Sequence, residues 1–228
     1  MNPTGLRAVL LFTAILFVVA MLLPDDHTTD PTLTPWHVTL SPQGNSQLLG
    51  ITLHESTLQQ VTERWKETPK VTLFMGEKQQ KVEAYFQQLN LGGIRASAVA
   101  EIAVTAEELQ QLIDHGARIS TQGDGSRKVL LDGVGMTLIE QRPISSLTYL
   151  PKADLPTNII EKRFGLPSKI YPDPKEGIDH WLYPLMGLDI AVSNESKEVL
   201  QFVSPREIER LRGPLEALNA ERATPPSS

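Results

Sequence analysis

Histidine, serine and acidic side chains are the residues through which this chain could perform acid–base, nucleophilic or metal chemistry. None of its five histidines (His27, His37, His54, His115 and His180) is spaced to share a metal ion with another. The chain contains no cysteine, which excludes disulfides, thiolate metal sites and cysteine nucleophiles. It also lacks a Gly-x-Ser-x-Gly turn, a Ser-x-x-Lys pair and a phosphate-binding glycine loop. We therefore predict no catalytic residue, no metal and no cofactor.

Three polar groupings have structural explanations that need no chemistry. His54 and Glu55 stand where a helix is expected to begin, a position that favours acidic side chains. His115 follows Asp114 at a predicted helix C-terminus, where the helix dipole favours a cation. The loop 172–179 carries three carboxylates without the alternation of a calcium-binding loop, so we predict a solvated loop there.

The densest group of side chains able to contact a partner is His180, Trp181, Tyr183 and Asp189. A Trp-x-Tyr pair on a strand places both rings on the same face of the sheet. Such a face belongs either to the hydrophobic core, the default for large aromatic residues, or to an exposed platform for a protein. If the face is exposed, these four residues are the predicted partner-binding site.

Composition narrows the class of partner. The chain has 228 residues, of which 40% are apolar, so it can bury a hydrophobic core. Its formal net charge of -6 and its lack of a basic stripe argue against nucleic-acid binding. No pattern indicates a small-molecule ligand, and we expect the partner to be a protein.

An apolar run near the N-terminus predicts a membrane segment. Residues 8–23 carry no charge, Arg7 precedes them, and Asp25 and Asp26 follow shortly after. With its flanking residues the segment 6–23 is long enough to span a bilayer as a helix. Positive charge before the segment and acidic charge after it place the N-terminus in the cytoplasm. The sequence thus predicts a single-pass inner-membrane protein whose remaining chain is periplasmic or otherwise extracytoplasmic.

A cleaved secretory signal is the competing interpretation of the same segment. Residues 18–20 offer the small side chains that signal peptidases recognise. The apolar run continues through residues 21–23, however, whereas a signal peptide normally turns polar before its cleavage site. We prefer the anchor, and both interpretations place the rest of the chain in the same compartment.

A shift of 99 positions brings two separate blocks of the chain into register. In the first block it pairs Val61 with Ile160, Arg64 with Arg163, and Trp65 with Phe164. In the second block it places residues 104–112 on 203–211, with Thr105 and Glu108 on Ser204 and Glu207. Both of these last pairs have the spacing of a helix capping box. Agreement of two blocks at one shift predicts an internal duplication.

Hydrophobic periodicity supplies similar elements in both copies. In the first copy it predicts a helix at 56–66, strands at 70–75, 81–89 and 94–104, and a helix at 106–115. In the second it predicts extended segments at 137–140 and 147–150, a helix at 155–164, strands at 168–171, 180–183, 188–193 and 199–203, and helices at 206–211 and 215–221. Between the copies, 123–126 reads as a hairpin turn and 133–135 as a flexible joint.

These elements give an α+β fold class: an N-terminal transmembrane helix followed by two related modules of helices packed on antiparallel sheet. The expected division of the chain is a membrane helix at 1–23, a linker at 24–35, a first module at 36–116, a connecting hairpin or linker at 117–135, a second module at 136–221 and a disordered tail at 222–228.

The second copy resembles a known class of envelope module. A helix ends in Phe-Gly-Leu-Pro at 164–167, and Trp-x-Tyr at 181–183, Gly-Leu-Asp-Ile at 187–190 and Val-Leu-Gln-Phe-Val at 199–203 follow. This pattern resembles modules of the outer-membrane lipoprotein A type, which include an accessory lipoprotein of the β-barrel assembly machine. A tandem pair is similar in outline to the β-lactamase inhibitor protein fold. The resemblance implies helices packed on an antiparallel sheet that makes protein contacts in the bacterial envelope, without catalysis.

The expected function is therefore that of a membrane-anchored interaction or scaffold protein in envelope biogenesis or maintenance. One alternative is an envelope hydrolase whose catalytic residues are dispersed along the sequence. A second alternative is a secreted, inhibitor-like binding protein released by cleavage after the N-terminal segment.

Overall fold

The computed structural model describes residues 30–76, 80–121, 127–193 and 195–223. The predicted membrane segment, most of the predicted linker, the turn at 123–126 and most of the tail lie outside these residues. Within them, no helix combines the length and the apolar character that crossing a bilayer requires. From Pro31 onwards the chain forms one compact unit, which is the part described below.

The described fold is α+β and consists of two sheets and a set of short helices. A small sheet contains β1 (Thr39–Leu40), β2 (Ser46–Leu48) and β3 (Ile51–Thr52). The large sheet contains β4 (Lys70–Met75), β5 (Gln80–Leu91), β6 (Ile94–Ile102), β7 (Gly116–Thr121), β8 (Arg127–Leu131), β9 (Ile144–Pro151), β10 (Lys169–Asp173), β11 (Ile178–Tyr183), β12 (Leu188–Ser193) and β13 (Val199–Phe202). The helices are α1 (Leu58–Trp65), α2 (Ala106–Asp114), α3 (Gly133–Glu140), α4 (Thr157–Phe164) and α5 (Glu209–Ala223).

The large sheet has ten strands in the order β10-β11-β12-β13-β9-β6-β5-β4-β8-β7, and every neighbouring pair is antiparallel. Two meanders, β4 to β6 and β10 to β13, are joined at the centre by β9. Helices α1 and α4 begin 99 residues apart and end 99 residues apart, and an antiparallel meander follows each of them, with three strands after α1 and four after α4. The shift that relates the two sequence blocks thus also relates elements of the fold, while the duplication itself stays a prediction.

The main hydrophobic core lies between one face of the large sheet and the layer that contains α1 and α4. Both helices bury their apolar stripes in this core, which includes Leu58, Val61, Trp65, Ile160 and Phe164. The Trp65 ring meets Phe86 of β5 edge-on, with ring centroids 4.8 Å apart. Its Nε1 donates to the Leu49 carbonyl at 3.0 Å, which satisfies the one polar atom of the buried side chain.

Helix α5 covers one end of the opposite face of the sheet. Its Leu215, with Leu211 nearby, packs against Tyr171 of β10 and Leu182 of β11. Near its C-terminus, Arg222 Nη2 contacts Asp173 Oδ1 at 2.6 Å and its Nη1 donates to the Pro172 carbonyl at 3.0 Å. The sheet is therefore covered on both faces at β10 and β11.

The structure corrects the prediction for residues 133–140. They form α3, whereas the glycine-rich 133–135 was expected to be a flexible joint and 137–140 to be extended. The Asp132 carboxylate accepts a hydrogen bond from the Gly135 amide at 2.8 Å and so caps the first turn. The segment 117–135, predicted to be a connecting hairpin or linker, contains β8 and nearly all of β7, and these two strands pair antiparallel.

Of the two predicted capping boxes, only that of Thr105 and Glu108 forms. At the second, Ser204 Oγ donates to Asn45 Oδ1 at 3.2 Å and makes no helix cap, because the surrounding fold offers it another partner. A short 3-10 helix, Pro205–Glu207, follows, and α5 then runs without a break through Pro214. The predicted break at 213–214 is wrong, since apolar residues on both sides of Pro214 pack on the sheet.

Tyr149 in β9 supplies a stability test. Its side chain is fully buried, its hydroxyl has no hydrogen-bond partner among the described residues, and burial raises its pKa. We expect Tyr149→Phe to raise the free energy of unfolding by about 1 kcal/mol, because it removes a desolvated polar atom without changing the packing. Urea unfolding measures the change. The matched Tyr183→Phe removes a hydroxyl that donates to the Gly165 carbonyl at 3.1 Å, so it should lose about 1 kcal/mol. A lower free energy of unfolding for Tyr149→Phe than for the parent protein would contradict the expectation.

Candidate binding face of the sheet

The sheet face that α5 covers at one end is exposed at the other. Alternation along β4 directs Val71 and Leu73 into the core, which places Lys70, Thr72 and Phe74 on the opposite face. We call the exposed part of this face, on strands β4 to β8, the open face. It is lined by Lys70, Thr72, Phe74, Glu83, Tyr85, Val99, Ser120, Lys128 and Leu130, around a groove of about 460 Å³.

Two aromatic rings form the apolar part of the open face. Tyr85 is 39% exposed and stands between Lys70 and Val99 in the strand register. Phe74 lies opposite Lys128, whose Nζ is 5.1 Å from the centroid of its ring. Such a contact holds the ammonium group over the ring, where the π-electrons attract it. The face therefore presents aromatic surface with a cation fixed beside it.

The charges of the open face leave a local positive excess. Lys81 Nζ contacts Glu83 Oε1 at 2.6 Å, so this carboxylate is already paired. Among the described residues, Lys70 and Lys128 have no carboxylate within ion-pair distance. On a chain of formal charge -6, this is a cationic region in an otherwise acidic protein. Aromatic rings next to unpaired cations suit a protein partner that supplies apolar and acidic side chains.

The structure places Trp181 and Tyr183 on the other face, inside the main core. Trp181 is 7% and Tyr183 5% exposed. The Tyr183 ring packs near Phe164 of α4, with ring centroids 6.1 Å apart, and burial raises the pKa of its hydroxyl to about 12. These rings could form a partner-binding platform only if they were exposed, and the helix layer buries them. This corrects their assignment as contact residues.

His180 and Asp189, the other two predicted contact residues, form a pair on the face that α5 covers. His180 Nδ1 lies 2.8 Å from Asp189 Oδ2. Asp189 is only 2% exposed, and its Oδ1 has no hydrogen-bond partner among the described residues. The hydrogen bond to Asp189 raises the pKa of His180 against the opposing effect of burial, with smaller contributions from the Asp173 and Asp179 charges. The pair is a buried structural contact and not a surface feature.

His54 contacts the C-terminal segment, whereas Glu55 contacts the turn between β1 and β2. His54 Nε2 lies 2.8 Å from Glu207 Oε2. Glu55 accepts hydrogen bonds from Ser41 Oγ at 2.6 Å and from Asn45 Nδ2 at 3.0 Å, which lower its pKa. The two members of the predicted His54–Glu55 pair therefore bond to different partners and do not act on each other. The arrangement ties two chain segments together.

The remaining acidic groupings also have structural partners. His115 Nδ1 lies 3.3 Å from Asp132 Oδ2, beside the cap of α3. Asp173 is held by Arg222, and this hydrogen bond lowers the pKa of the carboxyl group. In the part of the chain that the structure describes, no three histidine and acidic side chains converge as a metal site would require.

Our reading of the sequence missed the open face, although the sequence carries a signal for it. In β4 and β5 the buried positions alternate with Phe74 and Tyr85, where a strand that faces solvent normally has polar residues. A large aromatic residue at the polar positions of two neighbouring strands indicates a face that another surface covers. The signal depends on knowing that β4 and β5 pair in this register.

No protein-family model matches the chain, and neither the curated proteins nor the solved structures with which it was compared include a match.

Proposed function

We propose that this protein is a membrane-anchored, periplasmic binding or scaffold protein that contacts another protein of the cell envelope through the open face, without catalysis. The anchor rests on the uncharged segment 8–23 and the charges around it. The contact rests on one observation: the sheet carries exposed aromatic surface and unpaired cations where its other half is covered by a helix.

The two halves of the sheet explain why a covering element is expected. At β10 and β11, α5 lays Leu211 and Leu215 on this face. The shift of 99 positions places residues 104–112, which include most of α2, on residues 203–211, which lead into α5. Helix α2 does not cover the open face, because it buries its Leu112 in the main core on the other side of the sheet. No described element of the chain covers Tyr85 and Phe74 in the way that α5 covers Tyr171 and Leu182. A partner protein supplies the missing layer.

The shape of the open face favours a protein over a small molecule. Tyr85 at its centre is more than a third exposed, so a small ligand there would keep much of its surface in water. Protein interfaces concentrate aromatic residues at their centre with charged residues at the rim. On the open face, Tyr85 lies opposite Lys70 and Phe74 lies opposite Lys128, so each aromatic ring has a lysine beside it.

A photo-crosslinking amino acid at position 85, in the full-length chain in its native membranes, tests the proposal. We expect a discrete crosslinked species from position 85 and none from position 166. Leu166 is the matched control, because it is apolar and 78% exposed but lies outside the open face. Crosslinking of this kind reports contact in place, before the membrane is dissolved.

Two results would overturn the proposal. Equal crosslinking from positions 85 and 166, or none from either, would mean that the open face is not a specific contact surface. Fractionation of the same sample separates the anchored protein from the secreted binder. An uncut N-terminus in the membrane fraction is expected, and a shortened chain released from the membrane would show that segment 8–23 is a cleaved signal.

A further inference from the structure

The large sheet has two edge strands, and the edge at β10 is blocked. Pro172 in this strand has no amide hydrogen to donate. Its carbonyl already accepts a hydrogen bond from Arg222 Nη1 at 3.0 Å, and Arg222 Nη2 contacts Asp173. An approaching strand would find one donor missing and one acceptor occupied. Blocking of this kind is how proteins protect an edge from pairing.

The edge at β7 has no such protection within the described residues. The strand runs over six residues, Gly116–Thr121, and contains no proline. It pairs with β8 on one side only, so alternate amide and carbonyl groups on its other side are free of strand partners. Ile119 is 54% exposed, so its apolar side chain is available to an added strand. The strand is thus a template for strand addition.

We propose that β7 binds an extended acidic segment of the partner protein, which adds a further antiparallel or parallel strand to the sheet. This inference rests on the proposed function and names the partner's chemistry. Ser120 stands beside Lys128 in the register, at the margin of the open face. A strand added to β7 would therefore be continuous with the open face, and the partner could occupy both.

The register also predicts the residue pattern of the added strand. Ser120 and Lys128 share the open face, whereas Ile119 lies opposite Val129 on the other face. Strands pair about 4.8 Å apart and side chains alternate between faces. The added strand would lie about 10 Å from β8, a distance that the long Lys128 side chain and an acidic side chain can bridge together once the ammonium group leaves the Phe74 ring. The intervening apolar side chains would contact Ile119. The expected segment alternates acidic and apolar residues.

Charge argues for such a segment over a second copy of the same chain. Strands β7 and β8 contain Arg118, Arg127 and Lys128, and no acidic residue occurs in either strand. Pairing two β7 edges would bring the basic strands of two copies of the chain side by side, and charges of like sign repel one another. An acidic strand converts the same residues into favourable partners.

A fluorescent peptide that alternates glutamate and valine is the probe, with a length of about eight residues to cover the six of β7. Fluorescence anisotropy with the full-length chain in mild detergent should show saturable binding, and hydrogen exchange should slow at the β7 amides. Lys128→Glu should weaken binding at least about tenfold, because it opposes the peptide's charges. A peptide that alternates lysine and valine should not bind.

Matched controls separate strand addition from simple charge attraction. Lys175→Glu makes the same charge change in the turn beside the blocked edge and should leave binding unchanged. Two N-methylated peptides, one methylated at its odd-numbered amides and one at its even-numbered amides, supply a further control. Only one of these sets of amides faces β7, so methylation of that set should abolish binding. Thermal unfolding of each variant checks that the fold is retained.

Several outcomes would overturn the proposal. Equal losses from Lys128→Glu and Lys175→Glu, or full binding by both N-methylated peptides, would rule out an added strand. Self-association of the chain with protected β7 amides would assign the edge to a second copy. Absence of peptide binding with persistent crosslinking from position 85 would reject this inference and leave the proposed function standing. Loss of both results would reject the two together.

Discussion

Gly187→Ala is expected to lower the free energy of unfolding by more than about 3 kcal/mol. Gly187 ends the 3-10 helix Pro184–Met186 with φ of 64°, in the left-handed region. A Cβ added there would lie 2.1 Å from the Val203 carbonyl oxygen, which is backbone and cannot rotate away. The substitution therefore combines an unfavourable φ with a severe clash.

The surrounding hydrogen bonds prevent Val203 from yielding to the new methyl group. The Val203 amide donates to the Gly187 carbonyl at 2.8 Å. Ser46 Oγ lies 3.1 Å from both the Val203 and the Met186 carbonyl oxygens. A shift large enough to relieve the clash would break the contact between Ser46 of β2 and the segment that leads into α5. The cost thus extends beyond the turn itself.

Two other glycines divide this cost into its parts. Gly165 has φ of 81° and ψ of -172°, a backbone conformation that is essentially confined to glycine, but a Cβ there would meet no atom within 4 Å. Gly165→Ala should therefore cost about 1–3 kcal/mol through backbone strain alone. Gly133 begins α3 with neither constraint, since its φ is not positive and a Cβ there would meet no atom within 4 Å, so Gly133→Ala should stabilise by about 0.5 kcal/mol. Urea unfolding of the three variants gives the comparison. Equal stability of the 187 and 165 variants would show that the clash relaxes freely.

Local sequence patterns predicted most elements of the large sheet and its main helices. Strands β4 and β12 have the expected bounds, 70–75 and 188–193, because each is a short apolar run with clear boundaries. Helix α4 begins two residues later than expected and ends at the expected Phe164. The apolar stripe of α1 likewise predicted its buried face. The bounds of these elements and the buried face of a helix depend mainly on the residues of the element itself.

Other features depended on partners distant in the sequence. Ser204 has the spacing of a capping box, yet Asn45 takes its hydroxyl, more than a hundred residues away in the chain. Whether an aromatic residue is buried or exposed also depends on distant parts of the chain. Alternation tells which rings share a face, but only the packing of α4 and α5 decides that Trp181 is buried and Tyr85 exposed. The candidate binding face could not be located before the sheet order was known.

The pair of His180 and Asp189 gives the second large expected effect, and it depends on pH. Because the pKa of His180 is raised in the fold above its usual value of about 6.5, the pair contributes its full stability below that usual value. The contribution is lost as pH rises through the raised pKa. Asp189→Asn keeps the shape and an acceptor for His180 but removes the charge.

We therefore expect Asp189→Asn to lose about 2 kcal/mol at about pH 5.5, the size of a hydrogen bond between charged groups in a mostly buried site. As pH rises toward about 9 and through the raised pKa of His180, the charge-assisted hydrogen bond is lost in the parent protein. The second polar atom of residue 189, Oδ1 in the parent protein and the amide nitrogen in the variant, has no partner in either protein. The difference in stability between the two proteins should therefore become smaller as pH rises. Thermal unfolding of both proteins across this range measures the difference.

A difference in stability that does not change with pH would contradict the linkage and assign Asp189 a role in packing alone. The control is Asp154→Asn, whose side chain is exposed and distant from His180 in the fold; it should show no pH-dependent loss. Hydrogen exchange locates the effect. Tyr171 stands opposite His180 in the register and its hydroxyl donates to Glu216 of α5 at 3.0 Å, so weakening of the pair should raise exchange in α5 before it does so in α1.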